Sequence, residues 1–134
     1  MAGDVARLLG VKVYVPEKYP SADPKEKRML FKADDPIPAG SLLLQIEELV
    51  TTFDSGEATK DAIVAGNPFL LRFSPLVGVL VHRPAEVIRA LPDGRTIVPF
   101  IERQVDSWEP ADCPLCKQGS IPLAPKTNWA KLTA

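Results

Sequence analysis

The sequence predicts an α/β domain built on a parallel sheet. Three observations carry that expectation: an apolar run at residues 41–46 (SLLLQI), a second at 76–81 (LVGVLV), and a helical segment at 57–65 between them. Two apolar strands joined through a helix form a βαβ unit, which requires parallel pairing and a right-handed crossover. Strands with so few polar positions suit a sheet covered on both faces. The helix is stopped by Gly66-Asn67-Pro68, a glycine and proline pair that cannot continue it.

Length and charge narrow the class further. At 134 residues the chain is long enough for one domain with a hydrophobic core. Sixteen basic and seventeen acidic residues give a net charge of −1, which offers no electrostatic case for nucleic acid. No apolar run approaches a membrane span and the N-terminus lacks the pattern of a signal peptide, so the cytoplasm is the expected location. Fourteen prolines, about twice the usual share, sit mostly in connections and stiffen them. The composition divides the chain into a domain at 1–106 and an extended Pro/Cys-containing tail at 107–134, packed on that domain or on a partner subunit.

In chain order, residues 4–9 read as a short helix, with Asp4 able to cap it and Val5, Leu8 and Leu9 on one face. Gly10 supplies the stop. Residues 11–15 (VKVYV) are β-branched and aromatic and predict a strand. Helix, glycine, strand is half of an α/β unit, and the strand that opens the unit is expected before residue 1. Residues 16–40 form a long charged connection punctuated by five prolines, with a short strand at 28–32 (RMLFK). Connections of this length are functional or solvated loops.

The stretch at 42–56, LLLQIEELVTTFDSG, places polar chemistry at the carboxyl end of a buried strand. Ligands of open α/β sheets bind at that end. Glu47 and Glu48 suit sugar hydroxyls or Mg²⁺. The amides and hydroxyls of Thr51, Thr52 and Ser55 suit a phosphate at the start of the following helix. Residues 69–73 are either a short strand or the approach to 76–81. His82 and Arg83 follow that strand, hence on the ligand side; lone His82 reads as a surface or hydrogen-bonded residue. Pro92-Asp93-Gly94-Arg95 between apolar runs at 87–91 and 96–101 signals a β-hairpin, with a helix from Pro84 as the other reading of 87–91. Residues 102–112 turn polar, with Trp108 as an anchor.

Cys113 and Cys116 supply two of the four ligands that structural zinc requires. Thioredoxin-type chemistry needs such a pair at a helix start, which the proline-rich flanks do not suggest. Two free thiols is the expected state.

The residues Ile46, Glu47, Glu48, Leu49, Val50, Thr51, Thr52 and Ser55 resemble the phosphoribosyl-pyrophosphate (PRPP) signature of type I phosphoribosyltransferases, in particular orotate phosphoribosyltransferases. The tail DCPLCKQGSIPLAPKTNW is similar to the tail of some of those enzymes. The resemblance implies a Rossmann-like parallel sheet of the phosphoribosyltransferase type, N-terminally truncated, with an added β-hairpin and an irregular C-terminal tail. It implies transfer of ribose 5-phosphate from PRPP to a nucleobase, orotate first, with Mg²⁺ as cofactor. Glu47 and Glu48 would hold the ribose and the metal, and Thr51, Thr52 and Ser55 the phosphate. Lys18, Lys25 and Lys27 would neutralise pyrophosphate, and Arg83 would grip the base carboxylate through its planar fork. It also implies a homodimer, or pairing with a chain that supplies the missing N-terminal half.

Two residues depart from the signature. Phe53 stands where the pattern has glycine, so a positive φ is strained and the ring is expected to fill the phosphate pocket. Asp54 brings a carboxylate to a phosphate site. Together with the expected truncation, these departures predict an isolated chain that is impaired as an enzyme. The alternative is an inactive remnant serving as a nucleotide-binding or subunit-interaction module.

Overall fold

Leu42–Val50 (β3), Arg72–His82 (β4) and Thr96–Glu102 (β5) form a three-stranded sheet in the order β3-β4-β5, both pairings parallel. This is a computed structural model, and it describes residues 1–20, 28–32, 34–87, 89–109, 111–121, 128 and 130. The helix Asp54–Gly66 (α2) links β3 to β4 and completes the expected βαβ unit. Ala2–Leu9 (α1) opens the chain, and Glu17–Tyr19 (β1) pairs antiparallel with Arg28–Leu30 (β2) in a separate hairpin. The chain is α/β, with a parallel sheet, flanking helices and one antiparallel hairpin. Cα packing separates it into two units, Met1–Gln104 and Val105–Ala134.

Two apolar clusters hold the first unit. Val50, Phe53, Val77, Val79 and Ile97 pack under the loop that follows β3. Phe31, Ile37, Ala62 and Ile63 join β2 and its following loop to α2. Asn67, just past α2, staples this second cluster. Its Oδ1 accepts from Ile37 N–H at 2.8 Å, while its Nδ2 donates to the carbonyls of Ile37 and Phe69 at 3.2 and 3.0 Å. That buried amide is satisfied on both ends, which is the condition for tolerating it.

Two expectations fail, and for one reason. Residues 11–15 are irregular rather than a strand, and Val11, Val13 and Val15 remain exposed. Strand propensity is the preference of a side chain for a pleated, half-buried surface, and among the described residues no strand pairs with 11–15. The hairpin expected across Asp93-Gly94 shrinks to one antiparallel bridge, Ala90 with Thr96. Residues 96–102 leave that turn and pair along the open edge of β4, where Ile97 becomes buried. Pro99 is accommodated because β5 is an edge strand.

In the second unit, Pro114–Lys117 forms a single helical turn (α3) with Cys113 at its N-cap. Trp108 is half-exposed.

Candidate functional site

The carboxyl end of β3 gathers the polar residues of the signature, but not all on one side. Successive side chains of a strand point to opposite faces, so adjacent Glu47 and Glu48 are parted. Glu47 is half-buried and its Oε1 accepts from Gln45 Nε2 at 2.8 Å. Glu48 is exposed. The same Gln45 amide reaches the carbonyl of Gly56 at 2.9 Å, tying β3 to the first turn of α2.

The loop after β3 turns sharply at Phe53, whose φ of 69° and ψ of 3° lie in the left-handed region. It is the one non-glycine with positive φ among the described residues. Its ring does not enter the phosphate loop, contrary to expectation. Phe53 is 5% exposed and belongs to the core cluster of Val50, Val77, Val79 and Ile97. The turn that glycine would make is kept, and the bulk is directed inward. α2 consequently begins at Asp54, earlier than the predicted 57. Asp54 accepts from Thr52 Oγ1 at 2.6 Å. Glu47, Thr51, Thr52, Asp54 and Ser55 line a concavity of about 60 Å³ together with Leu49, Val50, Phe53 and Gly56. Among the described residues, no lysine or arginine lines it.

A larger cleft of about 290 Å³ opens beside it, walled by α1, residues 11–14, β3 and α2. Its lining is mostly apolar, with Lys12, Gln45, Glu47, Thr59 and Lys60 as polar members. Few convergent polar groups in an apolar cleft near this size are the usual make-up of a small-molecule site. Glu47 lines both hollows. Lys12 is committed to Asp35, whose carboxylate hydrogen bond raises its pKa.

Beneath the loop lies a residue that the motif does not reveal. Arg95 is 5% exposed and donates to Gln45 Oε1 at 2.6 Å, Glu57 Oε1 at 2.7 Å and Asp93 Oδ2 at 2.6 Å. Its guanidinium lies 5.6 Å from the Phe53 ring centroid and 5.8 Å from that of Phe73, within cation–π range. By occupying Gln45 Oε1, Arg95 leaves the amide nitrogen of Gln45 to donate to Glu47 and Gly56. Lys60 adds a second cation, bridging Asp93 at 2.6 Å and Glu57 at 2.8 Å. Burial would raise the Asp93 carboxyl, but hydrogen bonds from Lys60 and Arg95 outweigh it and hold the group at about 2. The Asp-Gly turn was the available signal: it sets a cation just before the edge strand β5.

Two comparisons bear on this arrangement. The orotate phosphoribosyltransferase of a Nitratiruptor species is 27% identical over 129 residues, covering 91% of this chain and 60% of its own length. That of Chlorobium phaeobacteroides is 27% identical over 116 residues, covering 87% of this chain and 53% of its own. The chain is distantly similar to orotate phosphoribosyltransferases. It spans little more than half the length of these two relatives. No family model matches the chain, and no solved structure does.

Of the remaining residues singled out by phosphoribosyltransferase resemblance, Lys18 and Arg83 are among the described residues. Lys18 is exposed on β1 and does not line either hollow. Lys25 and Lys27 lie outside the described residues. Arg83 follows β4 with an exposed side chain, and its N–H donates to the Val50 carbonyl at 2.8 Å, beside the end of β3. His82 is buried, with Nδ1 3.0 Å from Glu102 Oε2. Arg89 holds the same carboxylate through two hydrogen bonds at 2.7 and 3.1 Å. Those bonds, Arg89 first and His82 second, hold Glu102 at about 2. No helix among the described residues is long and apolar enough to cross a membrane.

Proposed function

We propose that the chain is a phosphoribosyltransferase-like domain that binds a ribose 5-phosphate ligand of the PRPP type at the carboxyl end of β3. The observation that carries this reading is the position of Glu47, which lines both the hydroxyl-rich loop and the apolar cleft. A carboxylate there accepts hydrogen bonds from ribose hydroxyls, with the 5′-phosphate against Thr51, Thr52 and Ser55. Arg83 is proposed to meet the carboxylate of a base such as orotate, and Lys18, Lys25 and Lys27 the pyrophosphate.

The donor set fits Mg²⁺ in a restricted way. One Glu47 oxygen is taken by Gln45 and the other is available, while Glu48 lies on the other face of β3. Mg²⁺ favours one or two carboxylates completed by phosphate oxygens and water. Glu47 would hold it together with the ligand's own oxygens, and the ion would offset charge on the pyrophosphate.

Transfer needs positive groups fixed around the leaving pyrophosphate. Among the described residues, those lining the loop concavity include Glu47 and Asp54 and no lysine or arginine, and Lys18 lines neither hollow. We therefore propose that residues 1–134 alone bind the ligand without turning it over, and that transfer uses a second polypeptide segment, from a like subunit or another chain. Calorimetric titration with PRPP and Mg²⁺ tests the binding step. Micromolar binding that Glu47→Gln abolishes is the expected result; binding weaker than millimolar removes the proposal.

A second reading, an interaction module without ligand chemistry, draws on the open edge of β3. Among the described residues no strand pairs with its outer edge, and Leu42 and Leu44 are 63% and 48% exposed. Such an edge accepts another strand. Self-association in sedimentation, undisturbed by Glu47→Gln and without PRPP binding, would select this reading.

A further inference from the structure

Cys113 and Cys116 take no part in the proposed function, and they occupy a defined local frame. The chain reaches Cys113 through a turn in which the N–H groups of Asp112 and Cys113 both donate to the Glu109 carbonyl at 2.9 Å. Pro114 then holds the first position of α3, where its fixed φ suits a helical start and its missing N–H is not needed. The turn is closed beyond Cys116 by Gly119, whose N–H donates to the Cys116 carbonyl at 3.0 Å and whose φ is 88°. Ser120 N–H caps the Leu115 carbonyl at 3.0 Å.

Cys113 is therefore held at the N-cap, with extended backbone, and Cys116 on the helical turn that follows it. Cys116 N–H donates to Cys113 Sγ at 3.3 Å. The two thiols also hydrogen-bond to each other, the proximity that a disulfide between them requires. Both residues keep partial solvent access, and Leu115 between them is exposed. Both thiols are free, as expected, but the expected lack of a helix start is corrected, because Cys113 is the N-cap of a helical turn.

We propose that Cys113-Pro114-Leu115-Cys116 is a dithiol exchange site whose substrate is an accessible disulfide, with Cys113 as the attacking sulfur and Cys116 as the resolving one. In the first step the Cys113 thiolate attacks one sulfur of the substrate disulfide. A Cys113–substrate bond forms, the substrate S–S bond breaks, and one thiolate leaves to take a proton from solvent. In the second step Cys116 loses its proton to solvent, attacks Cys113 Sγ and expels the second substrate thiolate. The chain loses two electrons and two protons, and the substrate disulfide becomes two thiols.

The order of roles follows from the surroundings of each sulfur. Cys113 receives the Cys116 backbone N–H, which favours its thiolate and lowers its pKa, and the Cys116 thiol bond works in the same direction. Cys116 is pushed up, first by that hydrogen bond with Cys113 and then by burial. A depressed first thiol beside an elevated second is the division of labour that such pairs require.

Glutathione is a suitable probe. The full chain is equilibrated in buffers of stepped reduced-to-oxidised glutathione ratio, blocked with iodoacetamide and weighed intact. Wild type is expected to pass from two alkylated thiols to an internal disulfide lacking two hydrogens, with no accumulated adduct. Cys116→Ser should hold one glutathione on Cys113. Cys113→Ser should react on the order of tenfold more slowly, because its remaining thiol is less ionised. Alkylation of Cys116→Ala should reach half its maximal rate at lower pH than alkylation of Cys113→Ala. Equal rates and equal pH profiles for the two single variants would overturn the assignment of roles. Wild type that stays in the dithiol form at the most oxidising ratio would overturn the site itself.

Discussion

The Phe53 ring stands where a side chain on Gly56 would be. A Cβ built on Gly56 meets Phe53 Cζ at 2.5 Å and the adjacent ring carbons at 2.6 and 2.8 Å. Gly56 is thus required by packing, since its own φ is not positive. Gly56→Ala forces the ring to shift within a filled cluster, an overpacking that costs about 1–3 kcal/mol. Urea unfolding should show a lower midpoint at an unchanged slope, the mark of lost stability without a changed denatured state.

Phe53 carries two opposed contributions. Its left-handed backbone costs about 1–2 kcal/mol relative to glycine, while emptying the site of a buried aromatic costs about 3–5 kcal/mol. Burial wins, so Phe53→Gly should be destabilised by about 2 kcal/mol despite the relieved turn. It should not tighten phosphate binding, because the ring is packed in the core cluster of Val50, Val77, Val79 and Ile97. Asp54→Asn is the substitution that removes repulsion from that concavity. At contact distances in a solvated site this amounts to roughly 1 kcal/mol, a severalfold gain in PRPP affinity. Calorimetry on both variants separates the two effects.

Arg95 joins β3, α2 and the turn before β5 through three side-chain acceptors. Arg95→Met removes the guanidinium from Phe53 and Phe73 and from Gln45, Glu57 and Asp93, leaving Lys60 on the two carboxylates. Removing one side of a buried charged network costs about 3 kcal/mol. Gln45 would also lose what fixes its amide, so PRPP affinity should fall in parallel with stability. Arg95→Lys should recover only part of each, because an ammonium cannot copy three divergent donors on one plane. Thermal melts alongside calorimetry report both.

The βαβ unit was readable because residues 41–46 and 76–81 are apolar almost without interruption, and a parallel sheet leaves few other uses for such runs. The acidic pair and the hydroxyls were readable from order alone. The cleft was not, because its walls come from α1, residues 11–14, β3 and α2, which are distant in sequence. The same holds for Arg95: its partners Gln45 and Glu57 lie 50 and 38 positions away. Residues 11–15 misled because β-branched composition reports a liking for sheet surface and says nothing of whether a strand is there to receive it. The direction of the Phe53 ring was equally hidden, since a substitution for glycine announces bulk but not which side of the loop receives it.

Acid should weaken the first unit at a definable pH. Asp93 falls from a reference of 3.8 to about 2 and Glu102 from 4.5 to about 2. Both folded-state values are depressed, so the unfolded chain takes up protons first as pH falls. Stability from these groups is complete above roughly pH 5, and it declines between the unfolded and folded values, toward pH 2. Asp93→Asn should flatten the lower part of that decline by removing the carboxylate that Lys60 and Arg95 hold. Glu102→Gln should flatten the part that begins near the higher reference value, and Arg89→Met should move it upward in pH by freeing Glu102 from its first partner. At the alkaline end Lys60 works with opposite sign. Burial opposes its charge, but hydrogen bonds to Asp93 and Glu57 outweigh burial and raise its pKa above 10.5, so its contribution is present below that value and lost above it. Urea midpoints measured from pH 2 to 6 and from pH 9 to 12 should therefore fall at both ends, and Asp93→Asn should reduce both slopes at once. A double variant of Lys60→Met with Asp93→Asn should cost less than the sum of the single changes, because the two side chains share one ion pair while each keeps a second partner, Glu57 or Arg95.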